Sequence, residues 1–566
     1  MKRLQAMSWV ASLICSVVLL LAGGEAAACT TVLVGKDATE DGAVLVGSSC
    51  DGHMMGHISR IAPARTYASG ERIPMRSSCA AGMEWNVDET GHSLPFIEEI
   101  HRCILLGHWR DGAETEATGG MNEHGVTIGI EFIPMRPELD STLGVVAPYT
   151  WHWSTSLIAN GLRRATTARE AIELIGAMVE EYGFLYTLHA DAGVALPIAD
   201  GQEAWIMEIF GPEAGWTPES ETPGGVWCAQ RVPDDAVGVS ANRSRIGEVD
   251  LENADEFMAS SHIHSMAERL GFWQEGEPFN WREVYADPGD RGNALREWRA
   301  LSLVGPSLDL EEPVDPVAEA YPFSVTPDTP VTMKQLMAIM RDGHDGTAYD
   351  VTEHEAFQVD DGKSPLARPW GPGELFDLLD IEPERAIATP TSSYVFIAQL
   401  REWLPPSIGN VLWFAPGPAY SSCFVPIYIG VNTLPDAWQG PADFGQINRE
   451  QAQWNYRLVS NLVTNLNYQE AIADVLEVIN AAEDVFLAQQ AETDEMALRL
   501  LEEEGPERAE AMLTQYTERC LEQTGHGYHE LVDYLMFQYL YDRPGIAPQS
   551  PPTIAAPRAP SSTDME

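Results

Sequence analysis

Residues 29–52 read CTTVLVGKDATEDGAVLVGSSCDG, and this stretch has the pattern of a β-hairpin. Residues 30–34 are β-branched or aliphatic, which favours a strand. A polar turn over residues 36–42 ends in Asp-Gly, and residues 43–47 predict a second strand after it. We therefore predict two antiparallel strands joined by a turn at the start of the folded chain.

This hairpin predicts the surroundings of one cysteine. Folding the second strand back brings Cys29 opposite Ser49 or Cys50, depending on the register of the pair. Asp51 is the next residue along the second strand. The spacing therefore predicts that the carboxylate of Asp51 lies close to the thiol of Cys29.

The residues before the hairpin have the three parts of a secretory signal peptide. Residues 2–3 are basic, residues 9–22 form an apolar run, and residues 26–28 are alanines typical of a cleavage site. No segment of the chain reaches the roughly 18 consecutive apolar residues of a membrane helix. We expect residues 1–28 to be removed, the mature protein to be exported to the periplasm or the medium, and Cys29 to become its first residue.

A cysteine at such a junction has two interpretations. In a lipoprotein the cysteine is acylated and anchors the chain, but the usual leucine three residues before it is replaced here by Ala26, and the apolar run has ended by Gly23. In the other interpretation a signal peptidase exposes a catalytic N-terminal thiol. The junction favours the second interpretation.

Composition and charge exclude several classes of protein. The chain has 566 residues, with 85 acidic against 34 basic side chains and a formal net charge of −51. Its 45% hydrophobic content and 16 tryptophans exclude a disordered chain. The acidic excess argues against nucleic acid as a partner, because binding to phosphate needs clustered lysine and arginine. The oligomeric state does not follow from the composition.

Cysteine spacing gives no sign of a metal site. Removal of the signal, which contains Cys15, leaves seven of the eight cysteines. An odd number in an exported protein predicts one free thiol; if this is Cys29, the other six suffice for three disulfides, whose pairing stays open. No CxxC or HExxH spacing and no glycine-rich phosphate loop is present. The sequence therefore predicts neither a metal nor another cofactor.

The order of the predicted elements indicates an α+β fold, because strands dominate early and helices late. Thr167 and Glu170 form a capping box that predicts the start of a helix. We divide the mature chain into a main domain over residues 29–440, a helical region over 441–543 and a proline-rich tail over 544–566, predicted to be disordered. Other predicted strands cover residues 126–130, 204–209, 238–241, 410–414 and 424–429, and a short helix covers 333–340.

A cysteine that begins a chain carries its own base. The α-amine titrates near pH 8 and the thiol near 8.5, so the amine of Cys29 can take the thiol proton and later return it to a leaving amine. The resulting oxyanion needs donors, which asparagine side chains supply. Asn122 and Asn242 are candidates because each lies where a turn meets a strand. Their ordinary alternatives are a turn residue beside Gly125 and a strand-end cap.

Several sequence motifs elsewhere in the chain, taken together with the hairpin, form one recognisable combination. They are Cys50-Asp-Gly, the NEHGV run over 122–126, residues 200–208, WCAQRVP over 227–233, SANRSRIGE over 240–248, GTAYD over 346–350 and QLREWLP over 399–405. This combination resembles the N-terminal-cysteine dipeptidases, a branch of the N-terminal nucleophile (Ntn) hydrolases related to bile-salt hydrolases and penicillin V acylases. The resemblance covers nearly the whole mature chain. It implies a four-layer αββα sandwich and metal-free cleavage of dipeptides with broad side-chain tolerance.

The resemblance also implies roles for four residues. By this likeness Cys29 is the nucleophile and its α-amine is the base. Asp51 matches the acid near the amine, Asn242 matches the oxyanion asparagine, and Asn122 matches a second polar contact. The expected partners are dipeptide substrates.

One position departs from the family pattern. Many relatives carry an arginine shortly before the aspartate, whereas residues 47–50 here are GSSC. Arg296 and Arg299 resemble an arginine pair of the wider superfamily, but this match is too short to assign them a role. Whether another arginine replaces the missing one is left open by the sequence.

Two other functions are compatible with the sequence. A related acylase would use the same centre on an N-acyl amide such as a bile-salt or penicillin side chain. A lipid-anchored, non-enzymatic envelope protein would use Cys29 only as its tether. The last function excludes catalysis by the amine, because an acylated nitrogen has no basic lone pair.

Overall fold

A computed structural model describes most of the chain. The described residues are 29–52, 57–66, 99–107, 117–139, 154–184, 192–213, 216, 220–313, 321–360, 362–371, 373–439, 446–540, 549–555 and 557. The predicted signal peptide, residues 1–28, and Cys79 lie outside them.

Seven strands form the first sheet, sheet 1. In spatial order they are β15 (Ser324–Val325), β13 (Val237–Ser240), β1 (Thr31–Val34), β2 (Val44–Asp51), β18 (Ser392–Leu400), β19 (Asn410–Ala415) and β20 (Val425–Tyr428). All the pairs are antiparallel. The predicted hairpin is confirmed as the central pair β1–β2.

Nine strands form the second sheet, sheet 2. In spatial order they are β14 (Phe257–Ala259), β12 (Val226–Val232), β11 (Ala204–Phe210), β10 (Ala192–Ala199), β8 (Thr127–Ile128), β7 (Gly119–Asn122), β6 (Cys103–Gly107) and β3 (His57–Ala62), with β9 (Glu131–Pro134) also paired to β10. Two small two-stranded sheets join β4 (Arg65–Thr66) to β5 (Glu99–Ile100), and β16 (Gln358–Val359) to β17 (Gly362–Lys363).

The described part of the chain also contains α-helices of very different lengths. They are α1 (Ser154–Arg164), α2 (Ala168–Tyr182), α3 (Ile263–Leu270), α4 (Trp281–Tyr285), α5 (Arg291–Val304), α6 (Met333–Met340), α7 (Gly373–Leu379), α8 (Pro406–Gly409), α9 (Ala452–Asn465), α10 (Tyr468–Glu503) and α11 (Pro506–Leu535). The predicted capping box is confirmed, since the Thr167 side chain accepts a hydrogen bond from the Glu170 amide at the start of α2. None of these helices combines the length and the apolar character needed to cross a lipid bilayer.

The two sheets face each other, and helices cover both outer faces. Strand β11 shows how alternation builds this arrangement: Trp205 and Met207 belong to the cluster beneath α1 and α2, whereas Ile206 and Phe210 belong to the cluster shared with sheet 1. Helices α5, α6, α10 and α11 lie against sheet 1. The predicted α+β, four-layer αββα sandwich is therefore confirmed.

The helical C-terminal region is part of the same sandwich. Helices α9 to α11 share one continuous hydrophobic cluster with sheet 1, and α11 contacts strand β20 directly. The predicted disorder of residues 544–566 is wrong for residues 549–555. There Ile554 is 7% exposed and lies against Gly527 of α11, since a Cβ added to that glycine would come 2.5 Å from Ile554 Cγ1. An apolar side chain buried against a helix holds this proline-rich stretch in place.

Candidate active site

The register of the hairpin places two cysteines side by side. Thr31 pairs with Ser48, and the next residues outward continue this register, so Cys29 lies opposite Cys50. The Ser49 amide donates to the Thr30 carbonyl at 3.0 Å. The 30–49 pair is therefore hydrogen-bonded, and 29–50 is the closer, non-hydrogen-bonded kind of cross-strand pair.

The predicted closeness of Asp51 to Cys29 is confirmed. The Asp51 amide donates to Cys29 Sγ at 3.5 Å, and Cys29 itself is only 5% exposed. A hydrogen bond with the Cys50 thiol and burial raise the pKa of the Cys29 thiol well above its ordinary value. Cys29 is therefore a thiol at neutral pH and needs a base before it can act as a nucleophile.

The carboxylate of Asp51 is held by residues far away in sequence. Arg385 Nη2 donates to Asp51 Oδ2 at 2.5 Å, and Ser392 Oγ donates to Asp51 Oδ1 at 2.6 Å. Burial raises the pKa of Asp51, while Arg385 and Ser392 oppose the shift. An arginine therefore does lie beside this aspartate, and it comes from the segment before β18 instead of from residues 47–50.

Asn242 has a left-handed backbone conformation, and its side-chain and backbone amides both donate hydrogen bonds. Its φ is 58°, in the left-handed region that costs a non-glycine residue about 1–2 kcal/mol. Its side-chain Nδ2 donates to the Phe132 carbonyl at 2.7 Å, and its backbone amide donates to Glu131 Oε2 at 3.2 Å. A side-chain amide has two N–H groups, so one remains available to an oxyanion.

Arg296 connects Asn242 to the nucleophile. This arginine of α5 is 0% exposed, and burial lowers its pKa to about 10. Its Nη1 donates to the Cys29 carbonyl at 2.6 Å and to Thr30 Oγ1 at 2.9 Å. Nη1 and Nη2 both lie 3.2 Å from Asn242 Oδ1. One guanidinium therefore holds Cys29, Thr30 and the Asn242 amide in a single arrangement.

The assembled residues can be compared with known proteins. The family model of peptidase family C69 matches residues 28–480, which is most of the chain. This chain belongs to peptidase family C69. The predicted family is thereby confirmed, and the chain is a peptidase. The match begins one residue before Cys29, at the point where the sequence predicts the mature enzyme to start.

Proteins similar in sequence to this C69 peptidase are named as dipeptidases. A probable dipeptidase of Salmonella dublin is 25% identical over 438 residues, covering 76% of this chain and 87% of that protein. A dipeptidase of Bifidobacterium longum (strain NCC 2705) is 23% identical over 474 residues, covering 77% of each. The solved structure of penicillin V acylase from Agrobacterium tumefaciens is 12% identical, covers 71% of this chain and 86% of its own, and has a TM-score of 0.27. The fold is assigned from the layers of sheets and helices described above and not from the similarity to this structure.

Asn122 of this C69 peptidase uses its side chain within the β7–β8 turn. It is 0% exposed, and its Oδ1 accepts from the amides of His124 and Val126, both at 3.0 Å. Its Nδ2 donates to the carbonyls of Leu162 and Ala165 at 2.8 and 2.7 Å. All its hydrogen-bonding groups are thus used to hold the β7–β8 turn against α1. These contacts are those of the ordinary alternative, a turn asparagine, and the role of Asn122 as a second polar contact of the site stays a prediction.

The two arginines of α5 have different roles. Arg296 contacts Cys29, as described, whereas Arg299 forms an ion pair with Asp342 at 2.6 Å. Three site residues were not assigned from the sequence: Arg296, Arg385 and the buried Glu131. Only Arg296 had a signal, in the short Arg-Glu-Trp-Arg motif. Nothing local marks Arg385 or Glu131, because both reach the site through tertiary structure.

A group of three possible metal ligands lies on the Asn122 turn. His101 Nδ1 is 3.2 Å from His124 Nε2 and 3.7 Å from Glu123 Oε1. The Arg102 amide also donates to Glu123 Oε1, at 2.9 Å. Among the residues that the structure describes, this is the group whose ligand atoms lie close enough together to hold a metal ion, and it does not include Cys29.

The six described cysteines are all thiols. They are Cys29, Cys50, Cys103, Cys228, Cys423 and Cys520, and all are buried. The possibility of three disulfides does not fit this arrangement, because at least five of the six cysteines other than Cys29 are unbridged.

Oxidation is expected to join Cys29 to Cys50 and to silence the enzyme. Directly opposed residues of a non-hydrogen-bonded pair have Cα atoms about 4.5 Å apart, which is within the range of disulfides. Hydrogen peroxide would take the two thiol hydrogens and form water, leaving an S–S bond and no nucleophile. We expect activity to fall with peroxide and to return with dithiothreitol; Cys50→Ser should form no 29–50 bond, so that any loss in this variant comes from oxidation of Cys29 alone. Non-reducing peptide mapping checks this, and a 29–50 bond in fully active protein would refute it.

Proposed function

We propose that this peptidase is an exported cysteine dipeptidase that cleaves dipeptides through a thioester on Cys29. The observation that carries the proposal is the placement of Cys29 at the start of β1, with Asp51 and Asn242 tied to it through hydrogen bonds. The family supports hydrolysis of peptide bonds, and the relatives named as dipeptidases support the substrate class. The signal pattern of residues 1–28 supports export.

The first half of the reaction transfers an acyl group. The α-amine of Cys29 takes the thiol proton, and the sulfur attacks the carbonyl carbon of the dipeptide. The remaining N–H of the Asn242 amide stabilises the oxyanion. Collapse of this intermediate breaks the C–N bond, and the proton held by the α-amine goes to the leaving amino acid.

The second half regenerates the enzyme. Water gives a proton to the α-amine and attacks the thioester. When the C–S bond breaks, the N-terminal amino acid leaves as its carboxylic acid, and the α-amine returns the proton to the sulfur of Cys29. We assign to the Asp51 carboxylate, which Arg385 and Ser392 hold in place, the role of positioning the α-amine. Arg296 acts as a positioning residue, because it binds the Cys29 carbonyl and the Asn242 amide together.

A substrate panel tests this proposal directly. Purified protein beginning at Cys29 is assayed with a set of dipeptides and, in parallel, with bile-salt and penicillin N-acyl amides. We expect turnover of dipeptides and little turnover of the acyl amides. The opposite order would assign the chain to the acylase branch, and a fatty-acyl mass on the N-terminal peptide would support the lipid-anchored alternative.

Replacement of Asn242 tests the oxyanion role. We expect Asn242→Ala to lower kcat by about 10²–10³ with little change in KM, since the lost donor acts only on the transition state. Because alanine is also strained at a φ of 58°, Asn242→Gly is the matched control: it tolerates this φ and equally lacks the amide. Kinetics and thermal unfolding of both variants decide the question, and an unchanged kcat in Asn242→Gly would assign the residue a purely structural role.

A further inference from the structure

Glu131 lies at the catalytic centre but on the opposite sheet. It begins β9, two residues after Gly129, where an added Cβ would come 2.9 Å from Ser48 Oγ of the catalytic hairpin. Ser48 Oγ in turn accepts a hydrogen bond from Thr31 Oγ1 at 3.0 Å. Alternate residues of a strand share a face, so Cys29 points, like Thr31, toward the side of the sandwich that holds Glu131.

The carboxylate of Glu131 is incompletely satisfied. Its Oε2 accepts from the Asn242 amide at 3.2 Å, but its Oε1 is buried and accepts no hydrogen bond from the described residues. Glu131 is 0% exposed and forms no ion pair with a described cation. Burial raises its pKa to about 7. A buried acid without a cation is costly to a fold and is typical of functional sites.

The guanidinium of Arg296 forms no hydrogen bond with Glu131 Oε1. Arg296 acts on the charge of Glu131, but its N–H groups are directed to other oxygens. Its Nη1 donates to Cys29 and Thr30, and its Nη2 donates to the Ala241 carbonyl at 3.2 Å and to Asn293 Oδ1 at 2.9 Å. The hydroxyls of Thr31 and Ser240 also face this carboxylate and lower its pKa, but neither forms a hydrogen bond of ordinary geometry with Oε1, and neither carries a charge. The described residues therefore place no cation on Glu131 Oε1.

We propose that Glu131 binds the α-ammonium group of the dipeptide substrate. In a dipeptide the ammonium nitrogen is only about 2.5 Å from the carbonyl carbon that is attacked. The group that recognises it must therefore lie beside the nucleophile, as Glu131 does. A primary ammonium carries three N–H donors and a positive charge, which satisfies Oε1 and keeps the carboxylate ionised. This proposal rests on the dipeptidase function proposed above and makes Glu131 the residue that selects substrates with a free amino terminus.

The test compares free and blocked dipeptides. Values of kcat and KM are measured for a dipeptide and for its N-acetyl derivative, with wild-type protein and Glu131→Gln. The Gln side chain retains an acceptor for the Asn242 amide. We expect the wild type to prefer the free dipeptide, and Glu131→Gln to reduce this preference by about 10- to 100-fold, mainly through a higher KM.

Glu208→Gln is the matched control. Glu208 is also 0% exposed, but its carboxylate accepts hydrogen bonds from Ser244, Arg245 and Trp281. Loss of this buried charge should affect stability while leaving the ratio between free and blocked substrates unchanged. An equal change of the ratio in both variants would overturn the assignment to Glu131.

Binding separates a failure of this inference from a failure of the proposed function. Calorimetry with Cys29→Ala protein measures dipeptide binding without turnover, and the added Glu131→Gln change should weaken it about 10-fold or more. Unchanged binding, or no discrimination against the N-acetyl compound by the wild type, would overturn the proposal. The α-ammonium group of Cys29 has the same charge and the same N–H donors as that of a substrate. If Glu131→Gln instead lowers kcat/KM equally for the free and the N-acetyl dipeptide and shifts the pH profile of Cys29 alkylation, Glu131 binds the α-ammonium of Cys29 and the proposal is wrong.

Discussion

Cys29→Ala protein is expected to fold normally and to hydrolyse nothing. The thiol forms the only covalent bond to the substrate in the proposed reaction, so its removal should lower kcat by at least about 10³-fold. Little packing is lost, because Cys29 precedes the first residue of β1 and is held mainly through its backbone by Arg296. Steady-state kinetics and circular dichroism of the purified variant measure both effects.

A second buried cysteine provides the control for this variant. Cys228 of β12 is 0% exposed and belongs to the hydrophobic cluster between the sheets, so Cys228→Ala should cost some stability and leave activity in place. Alkylation should inactivate the wild type, and EDTA should leave its kcat unchanged, since no step uses a metal. Retention of more than a few per cent of activity in Cys29→Ala would contradict the mechanism.

Activity is also expected to require Cys29 as the first residue. The Cys50 hydrogen bond and burial hold the pKa of the Cys29 thiol high, so the thiolate is scarce at neutral pH without a base. The α-amine on the same residue is separated from the sulfur by three bonds and therefore acts at very high effective concentration. An amide nitrogen in its place has no basic lone pair.

Two forms of the chain without the signal test this requirement. A form beginning Met-Ala28-Cys29, with processing blocked, should fold and remain inactive. A form beginning Met-Cys29 should gain activity once the methionine is trimmed. N-terminal sequencing of the active protein provides the decisive measurement: any start other than Cys29 in fully active enzyme would falsify catalysis by the amine.

The parts of the site that the sequence predicted correctly are the local ones. The contact between Cys29 and Asp51 followed from strand length and turn position, and the register of β1 and β2 confirms it. Asn242 was placed at the end of a strand, where the structure finds it next to Arg296. Its role in stabilising the oxyanion stays a prediction.

The sequence was least informative where one local pattern fits several tertiary arrangements. Asn122 ends β7 and Asn242 follows β13, and only the packed structure distinguishes their contacts: the side chain of Asn122 donates to the Leu162 carbonyl of α1, and that of Asn242 donates to the Phe132 carbonyl of β9. The family-like motif around Asn122 therefore holds a turn, and its contribution to the site stays a prediction. The arginine absent from residues 47–50 is supplied by Arg385, which lies 334 positions from Asp51 along the chain.

The sequence by itself determined the hairpin, the family and the α+β class, and it predicted Cys29 as the nucleophile. These depend on residue alternation, turn residues and a signal junction, all of which act over a few neighbouring positions. The tertiary structure alone decided which charged and polar groups surround the thiol: Arg385 and Ser392 at Asp51, Arg296 at Cys29 and Asn242, and Glu131 from the facing sheet. The physical reason is that hydrogen bonds and burial act through space, and the packing of two sheets brings together side chains that no short-range pattern relates.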